Sequence, residues 1–323
     1  MSMKAMQYTG YGDPSKIHPA EVPAPKPSSD QLLVKVAASS VNPIDWKLHN
    51  GSLRVIVPVR FPSIPGMDLA GEVVEIGAKV TRFRPGDRVM ACLRSRGFGT
   101  AAEFAAVDER LAALAPKTMI DHEAAALPLA GLTALQALCD LGRLKEGGRV
   151  LIVGASGGVG HYAVQIAKAL GANVSAVCSG ANAPWVRELG ADEIIDYTQT
   201  TEFGPLASFD LIFDTVVSEP FGRYQGLLKP DGIYVSTLPA IGLMVRSVLF
   251  RLFSKKRIKT VMLKPNGEDL AFLSTLAEQG QLRSVIDSVF PLSQLDLAHR
   301  RSQSGHARGK IVIDILGASA GST

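Results

Sequence analysis

The sequence has few cysteines and no long apolar run. Its three cysteines, Cys92, Cys139 and Cys178, lie far apart in the 323-residue chain and form no C-x-x-C pair, so we expect reduced thiols and no disulfide scaffold. No stretch of about 18 uncharged apolar residues is present, which argues against a membrane-spanning helix. The first residues also lack the apolar core of a signal peptide, and we therefore expect a cytoplasmic protein.

The chain also has a small net charge and few aromatic residues. The net charge is +4, and aromatic residues make up 6% of the sequence. The aromatic residues are not interleaved with the basic ones, so nucleic-acid binding is not expected. Acidic residues are absent between Gly232 and Gly267, where a basic and apolar stretch covers residues 241–259. This stretch predicts either a peripheral contact with an anionic membrane or a helix that covers a substrate site or packs on a second subunit of a homodimer.

The length of the chain and the change in its residue pattern along the sequence predict two domains. Residues 1–120 contain short β-branched runs broken by Pro and Gly, which indicate a β-rich domain. Residues 121–265 alternate apolar strands with helical segments, a pattern typical of a doubly wound parallel sheet with helices on both faces. Residues 266–323 give helices and then strands, and we interpret them as the chain returning to complete the first domain.

The second domain contains a glycine-rich segment, LIVGASGGVG, at residues 151–160. Gly157 and Gly160 match the last two glycines of G-x-G-x-x-G, while Ala155 replaces the first. A backbone without Cβ atoms at a helix N-terminus lets a pyrophosphate approach closely. The alternative is a tight strand-to-helix turn without a ligand, but the surrounding strand–helix–strand unit favours a dinucleotide site.

The end of the next strand indicates which dinucleotide is bound. An acidic residue normally stands about 20 residues after the glycine loop in NAD-binding domains, where it holds the adenosine ribose. Here the strand ends in VCSGAN, residues 177–182, without an acidic side chain. Ser179 and Asn182 can accommodate a 2′-phosphate, so NADP(H) is favoured over NAD, although no arginine accompanies them.

Several motifs in a fixed order carry a resemblance to a known family. They are AASSVNPIDWKLHNG (37–51), PGMDLAGEVVEIG (65–77), FRPGDRV (83–89), LPLAGLTALQAL (127–138), GASGGVG (154–160), RELGADEIIDY (187–197) and SGHARGKIVI (304–313). Over nearly its whole length the sequence resembles the zinc-free quinone oxidoreductase and enone reductase group of the medium-chain dehydrogenase/reductase superfamily. The resemblance implies an α/β protein, with a GroES-like β-rich domain and a Rossmann-type doubly wound parallel sheet domain.

Three positions differ from the alcohol dehydrogenase branch of that superfamily. That branch has a cysteine where this chain has Asn42, and Gly-His-Glu where this chain has Gly66, Met67 and Asp68. Asn42 and Met67 are not expected to bind zinc, so no metal site is predicted. Without a Lewis acid, alcohol oxidation loses its main electrostatic support. The resemblance then implies hydride transfer from NADPH, in the cleft between the domains, to a quinone or to the C=C bond of an α,β-unsaturated carbonyl compound.

The resemblance also implies a set of cofactor-binding residues. The pyrophosphate would contact Ser156, Gly157, Gly158 and Val159. Ser179 and Tyr197 would lie on the adenosine-phosphate side, and His306 and Arg308 would reach back to the cofactor. Thr133 would contact the nicotinamide ribose or ring. The alternatives are a half-buried strand-end aromatic for Tyr197, a solvated polar turn for His306 and Arg308, and a helix-interior threonine bonded to its own backbone for Thr133.

The predicted catalytic residues lie in a single segment, which we expect to be a loop facing the nicotinamide. Asn42 would donate a hydrogen bond to a substrate carbonyl, and Lys47 would stabilise an enolate or relay the proton. Asp45 is expected to hold the segment together, and an exposed lysine is the alternative for Lys47. Two other functions stay open: an NADPH-binding regulatory or scaffold protein with little turnover, and a zinc alcohol dehydrogenase with atypical ligands.

Overall fold

The chain divides into two compact units. The computed structural model describes residues 1–93, 99–200, 202–203, 208–237 and 255–317. One unit is formed by Met1–Ala130 together with Pro265–Thr323, and the other by Gly131–Lys264. Most of the basic stretch 241–259 lies outside the described residues.

Among the described residues, strands predominate in the first unit and alternate with helices in the second, as the sequence predicts. The strands are β1 Ser2–Tyr8, β2 Ile17–Pro23, β3 Gln31–Val41, β4 Asp68–Ile76, β5 Arg88–Cys92, β6 Phe104–Asp108, β7 Ala112–Leu114, β8 Arg149–Val153, β9 Asn173–Cys178, β10 Glu193–Asp196, β11 Phe209–Asp214, β12 Leu228–Ser236, β13 Arg257–Thr260, β14 Ile286–Pro291 and β15 Lys310–Asp314. The α-helices are α1 Pro43–His49, α2 Asp121–Ala126, α3 Pro128–Gln136, α4 Gly160–Ala169, α5 Ala183–Glu188, α6 Gly222–Gln225, α7 Gly267–Glu278 and α8 Leu295–Gln303. Within the described residues, no helix is long and apolar enough to span a membrane.

The first unit is built on an antiparallel framework. Its described residues form a seven-stranded sheet in the order β14-β15-β3-β4-β5-β7, with β6 also paired to β3, and a separate β1–β2 hairpin. Only β14 and β15 run parallel to each other in this sheet. The core contains Leu32, Val34 and Val36, alternate residues of β3 that are fully buried. The late strand β15 pairs with β3, so the C-terminal part of the chain completes this sheet.

Residues 121–130 belong to the first unit, although the sequence analysis assigns them to the nucleotide-binding domain. Helix α2 packs on β3 and β4 through Ala124, Ala125 and Ala126, which are fully buried. The change near residue 120 from short β-branched runs to helix-forming residues therefore marks the start of helices, whereas the boundary between the units follows Ala130.

The second unit is a parallel sheet of the Rossmann type. Its described strands lie in the order β10-β9-β8-β11-β12-β13, and every neighbouring pair is parallel. Counted from β8 along the chain this is the order 3-2-1-4-5-6, which is the dinucleotide-binding arrangement. The order reverses between β8 and β11, where ligands bind in such sheets. The antiparallel sheet of the first unit and the parallel sheet of the second agree with the two parts of the predicted fold class.

One helix was not expected. The segment that carries Asn42, Asp45 and Lys47 was predicted as a loop, but Pro43–His49 is the helix α1. Asn42 occupies the N-cap position and Pro43 the first helical position, and the Asp45 carboxylate Oδ2 accepts a hydrogen bond of 2.8 Å from the Asn42 backbone N–H. These residues form a helix-start signal that the β-rich surroundings obscured.

Candidate functional site

The glycine-rich segment joins β8 to α4 in a tight turn. Gly154, and not Ala155, has the positive φ, 79°, and its N–H donates to the Val177 carbonyl at 3.1 Å. A Cβ atom on Gly154 would overlap the Val216 side chain, and one on Gly160 would overlap the Gly154 carbonyl oxygen. Ala155 is therefore compatible with the turn, because the strained position is one residue earlier.

The turn ends where α4 begins. Gly157, Gly158 and Val159 are half-buried, and Val159 is the N-cap residue directly before Gly160. The positive end of the helix dipole therefore lies at the glycine loop, as a pyrophosphate site requires. The loop fits a dinucleotide, since the half-buried Gly157 and Gly158 place no side chain between the helix N-terminus and a bound phosphate.

Two serines that the sequence analysis assigns to the cofactor are joined by Asn182. The Asn182 amide nitrogen Nδ2 donates to Ser156 Oγ and to Ser179 Oγ, both at 3.1 Å. The Trp185 indole N–H donates to Asn182 Oδ1 at 3.2 Å. All four residues are half-buried, and the cluster links the glycine loop to the carboxyl end of β9.

An acidic residue reaches the same edge of the sheet from the neighbouring strand. Asp196 ends β10 opposite Cys178 of β9, and its Oδ1 accepts hydrogen bonds from the Thr198 N–H at 2.9 Å and the Thr198 hydroxyl at 2.7 Å. These bonds from Thr198, and one from the Gly180 N–H, hold the pKa of Asp196 below its usual value. Tyr197 follows and is 57% exposed, so it is not the half-buried aromatic of the alternative reading.

Asn42, one of the two predicted catalytic residues, is held from both ends of its amide. Lys310 Nζ donates to Asn42 Oδ1 at 2.6 Å, and Asn42 Nδ2 donates to Asp68 Oδ2 at 2.7 Å. Because an ammonium group only donates, the oxygen of the amide must face Lys310. Asn42 is 2% exposed, and these two contacts use its amide oxygen and one of its two amide hydrogens.

Asp68 is the centre of this buried cluster. Its carboxylate also accepts from the Ser40 hydroxyl at 2.8 Å and from the Leu129 N–H at 2.9 Å, in the first turn of α3. Lys310 Nζ lies 3.8 Å from Asp68 Oδ2. Burial raises the pKa of Asp68, and the ammonium of Lys310 opposes that shift. The cluster ties β3, β4, β15 and the starts of α1 and α3 together.

Lys47 lies on α1, and Asp45 on the same helix. The Lys47 side chain is half-buried with Nζ 5.5 Å from the centre of the Trp46 ring, and burial lowers the pKa of Lys47. Trp46 Nε1 donates to Ser302 Oγ at 3.1 Å, which fixes α1 against α8. Burial raises the pKa of Asp45 to about 7, and its role as a helix cap agrees with the expectation that it holds the segment together.

The other predicted cofactor residues lie apart from the glycine loop in the sequence. Thr133 is 7% exposed within α3. His306 and Arg308 are exposed in the turn before β15, where Asp287 Oδ1 accepts from the Arg308 backbone N–H at 2.8 Å. Asp287 also receives two hydrogen bonds from Arg301, at 2.9 and 2.7 Å, so the turn is anchored. Their contacts with the cofactor stay predictions.

Sequence reasoning missed Lys310 and Asp196. Lys310 is 2% exposed although it begins an apolar strand, KIVID, at residue 310. A lysine directly before the continuous apolar run at residues 311–313 was the available signal. No group of three or more His, Cys, Asp or Glu residues in the described part of the chain is arranged to hold a metal ion.

Comparisons with known proteins agree with this architecture. The family model for the alcohol dehydrogenase GroES-like domain matches residues 28–117, and the model for zinc-binding dehydrogenases matches residues 189–313. A chloroplast envelope quinone oxidoreductase homolog of Arabidopsis thaliana is 40% identical, covering 97% of this chain and 98% of the relative. The human mitochondrial NAD(P)H oxidoreductase RTN4IP1 is 33% identical, over 89% of this chain and 82% of the relative.

Two further similarities connect the chain to reductases. The 2-methylene-furan-3-one reductase of Solanum lycopersicum is 34% identical, over 96% of this chain and 79% of the relative. The solved structure of the quinone oxidoreductase from Coxiella burnetii superposes with a TM-score of 0.87 at 33% identity, over 98% of this chain and 100% of that chain. The chain therefore belongs to the quinone oxidoreductase group of the medium-chain dehydrogenase/reductase superfamily and is an oxidoreductase that uses a nicotinamide cofactor.

Proposed function

We propose that this protein uses NADPH to reduce a quinone, or the C=C bond of an α,β-unsaturated carbonyl compound, without a bound metal. The observation that carries the proposal is the buried Asn42–Asp68–Lys310 cluster. The lone pairs of Asn42 Oδ1 and Asp68 Oδ2 already face an ammonium group, at 2.6 and 3.8 Å. A divalent cation beside Lys310 would be repelled, and an amide oxygen is a poor ligand for zinc.

The buried ammonium group of Lys310 disfavours a bound metal ion at this cluster, and this favours a particular class of acceptor. A reduced nicotinamide supplies hydride when bound, and its acceptor must already be electrophilic if no Lewis acid polarises it. Quinones and enones meet that requirement. The names of the relatives support the same classes, since they include a quinone oxidoreductase homolog and a 2-methylene-furan-3-one reductase.

Residues of α1 and of the second unit supply the remaining functions. Lys47 is the proposed proton donor to the enolate or hydroquinone oxygen, because its ammonium group has a lowered pKa. Asn42 holds the start of α1 and offers its remaining N–H to the substrate carbonyl. The glycine loop, Ser156 and Ser179 bind the phosphates, and Ser179 with Asn182 supports NADPH over NADH. Tyr197, Thr133, His306 and Arg308 complete the proposed cofactor site.

The test is cofactor oxidation by protein stripped of metal and checked by elemental analysis. NADPH consumption is followed with quinones, enones, aldehydes and alcohols in parallel, in buffer with and without a chelator. We expect turnover with at least one quinone or enone, unchanged by the chelator. No turnover with any of them would leave the regulatory or scaffold role, and activity that requires added zinc would contradict the proposal.

The cellular context also stays a prediction. A cytoplasmic location, a homodimer and peripheral membrane contact through residues 241–259 are all part of the proposal. Fractionation, light scattering and vesicle co-sedimentation would test them in that order.

A further inference from the structure

Asn182 determines how two hydroxyl groups at the glycine loop are oriented. Its amide nitrogen lies 3.1 Å from the Ser156 oxygen and 3.1 Å from the Ser179 oxygen. One serine follows β8 and the other follows β9, so a single side chain connects the carboxyl ends of two adjacent strands. Both amide hydrogens of Asn182 are used in these two bonds.

The orientation of the Asn182 amide is fixed by Trp185. An indole N–H can donate but cannot accept, and it lies 3.2 Å from Asn182 Oδ1. The oxygen of the amide must therefore face the indole, and the NH₂ group must face the serines. Each serine oxygen accepts a hydrogen bond from Asn182, which leaves its own O–H hydrogen to be donated elsewhere. Two hydroxyl donors in fixed positions form an anion-binding pair.

We propose that Asn182 is a positioning residue that sets cofactor specificity, by keeping the Ser156 hydroxyl hydrogen available to the pyrophosphate and the Ser179 hydroxyl hydrogen available to a phosphate on the adenosine ribose. This inference rests on the proposed function, because it assumes that a nicotinamide dinucleotide binds at the glycine loop. Ser156 serves the phosphates common to both dinucleotides, and Ser179 serves the group that distinguishes them. Asn182 itself need not touch the cofactor.

Asp196 lies at the same edge and must be included. Its carboxylate is in contact with Gly180, where a Cβ atom would overlap Asp196 Oδ2. A carboxylate here would repel a 2′-phosphate, but Asp196 accepts hydrogen bonds from Thr198 and from the Gly180 N–H. These donors offset part of its negative charge. The preference for NADPH is thus a balance between two serine donors and one engaged carboxylate.

The test replaces the donor group of Asn182 by an acceptor of the same shape. In Asn182→Asp the carboxylate would draw both serine hydrogens toward itself and add a negative charge. We expect the Kd of NADPH for the full-length protein, measured by calorimetry, to rise on the order of 10- to 100-fold, while that of NADH rises less than about 5-fold. The matched control is Asn173→Asp at the opposite end of β9, where Asn173 Nδ2 donates only to the Gly147 carbonyl at 3.1 Å, and both affinities should stay unchanged.

Two further variants separate positioning from folding. Asn182→Ala leaves the serines free to rotate, and its loss of NADPH affinity should be smaller than that of Asn182→Asp. Ser179→Ala should weaken NADPH binding and spare NADH. Equal weakening of both dinucleotides in Asn182→Asp, or an unchanged Kd ratio, would overturn the inference. If the wild-type protein binds neither dinucleotide, the proposed function fails as well, and if it binds NADH more tightly, Asp196 and not Asn182 determines specificity.

Discussion

At the scale of single residues, Lys47 illustrates how burial changes chemistry. Its side chain is half-buried on α1, and the loss of hydration lowers the pKa of its ammonium group. A lysine in water titrates near pH 10.4 and is a weak acid at neutral pH. A lowered pKa brings the group closer to the pH at which a proton donor works best.

The first prediction concerns this proton. Lys47→Met should lower kcat for an enone on the order of 100-fold, because a positioned general acid contributes about that much, and should leave the Kd of NADPH unchanged. In the wild-type protein kcat should fall as the pH rises past the lowered pKa of Lys47. The exposed Lys79→Met is the control in steady-state assays. A Lys47→Met protein with wild-type kcat would exclude Lys47 as the donor.

Asp45 and His299 are buried residues that respond to pH in opposite directions. Burial raises the pKa of Asp45 to about 7, so this carboxyl group favours the folded state at low pH and loses that effect as the pH rises from about 4 to 7. Burial lowers the pKa of His299 to about 3, so it destabilises the fold as the pH falls from about 6.5 toward 3. Between about pH 4 and 6.5 the two effects oppose each other.

Asp45→Asn removes one of these opposing effects. The amide can still accept from the Asn42 N–H, and it carries no charge to bury. We expect the variant to be more stable than the wild type at pH 8, by up to about 4 kcal/mol for three pKa units, and to lose stability more steeply on acidification. Urea unfolding at pH 5 and pH 8 measures this, with the exposed Asp30→Asn as the control. A variant less stable than wild type at pH 8 would show that the Asp45 charge is compensated.

At the scale of elements, the Asp68–Lys310 pair connects parts of the chain that are distant in sequence. Lys310 begins β15, Asp68 begins β4, and Asn42 caps α1. A buried charge is costly when its partner is removed, although the intact pair adds little net stability. The main effect of the pair is therefore to fix the positions of the elements that it joins. Through Asn42 it holds α1, the helix that carries Lys47, against the sheet.

Replacing one member of this pair should lower the free energy of unfolding more than replacing both. Lys310→Met leaves Asp68 buried without its cation and should destabilise the protein by about 3–5 kcal/mol. The double variant Lys310→Met with Asp68→Asn has no buried charge in the pair, and it should recover part of that loss in thermal unfolding. Lys35→Met, an exposed lysine of β3, is the control. A double variant as unstable as the sum of the two single variants would contradict the coupling.

The contact between β8 and α4 gives another prediction. A methyl group at Gly160 would overlap the Gly154 carbonyl oxygen, so Gly160→Ala must push α4 away from the turn. We expect a loss of about 1–3 kcal/mol in stability and at least a tenfold weaker affinity for NADPH. Gly222→Ala, where nothing lies within 4 Å, should behave as wild type in both measurements. Unchanged NADPH binding in Gly160→Ala would count against the glycine loop as the binding site.

These elements also show which parts of the structure can be predicted from the sequence alone. Strands β8 to β12 were predicted because strands buried on both faces are continuous apolar runs. β13 was not, because Arg257–Thr260 is short and half charged. Ser156 and Ser179 followed from the motif, whereas Lys310 meets Asn42 across 268 positions of sequence, a contact that local patterns do not encode. Asp196 was missed because the acidic residue of NAD-binding domains is expected at the end of the second strand, β9, whereas Asp196 ends the neighbouring strand β10.

At the scale of the whole molecule, the two units differ in how the chain builds them. The second is one continuous stretch, Gly131–Lys264, while the first combines Met1–Ala130 with Pro265–Thr323. In the first sheet β15 lies between β14 and β3, so the early strands depend on a late one. A unit of one continuous segment can fold by itself, but a sheet without an inner strand exposes two unpaired edges.

Fragments should reflect this difference. Residues 128–264, which keep α3 whole, should unfold cooperatively and retain NADPH binding in calorimetry, whereas residues 1–130 alone should lack a cooperative transition in circular dichroism. Co-expression of 1–130 with 265–317 should restore the transition, because β15 again pairs with β3. If residues 1–130 fold cooperatively alone, the late strands are dispensable for the first sheet.

The late arrival of β15 has a consequence for biosynthesis. The first 130 residues leave the ribosome with the β3 edge that Ile311 and Ile313 will later cover, opposite Val41 and Ser39. At about 5–20 residues per second, roughly 10–40 seconds pass before that partner is translated. The nucleotide-binding unit completes its own sheet within this interval. We therefore expect nascent chains to depend on chaperones, or on a low rate of aggregation, more for the first unit than for the second. We also expect a chain that ends shortly before Lys310 to bind its cofactor and to be degraded because its first unit is incomplete.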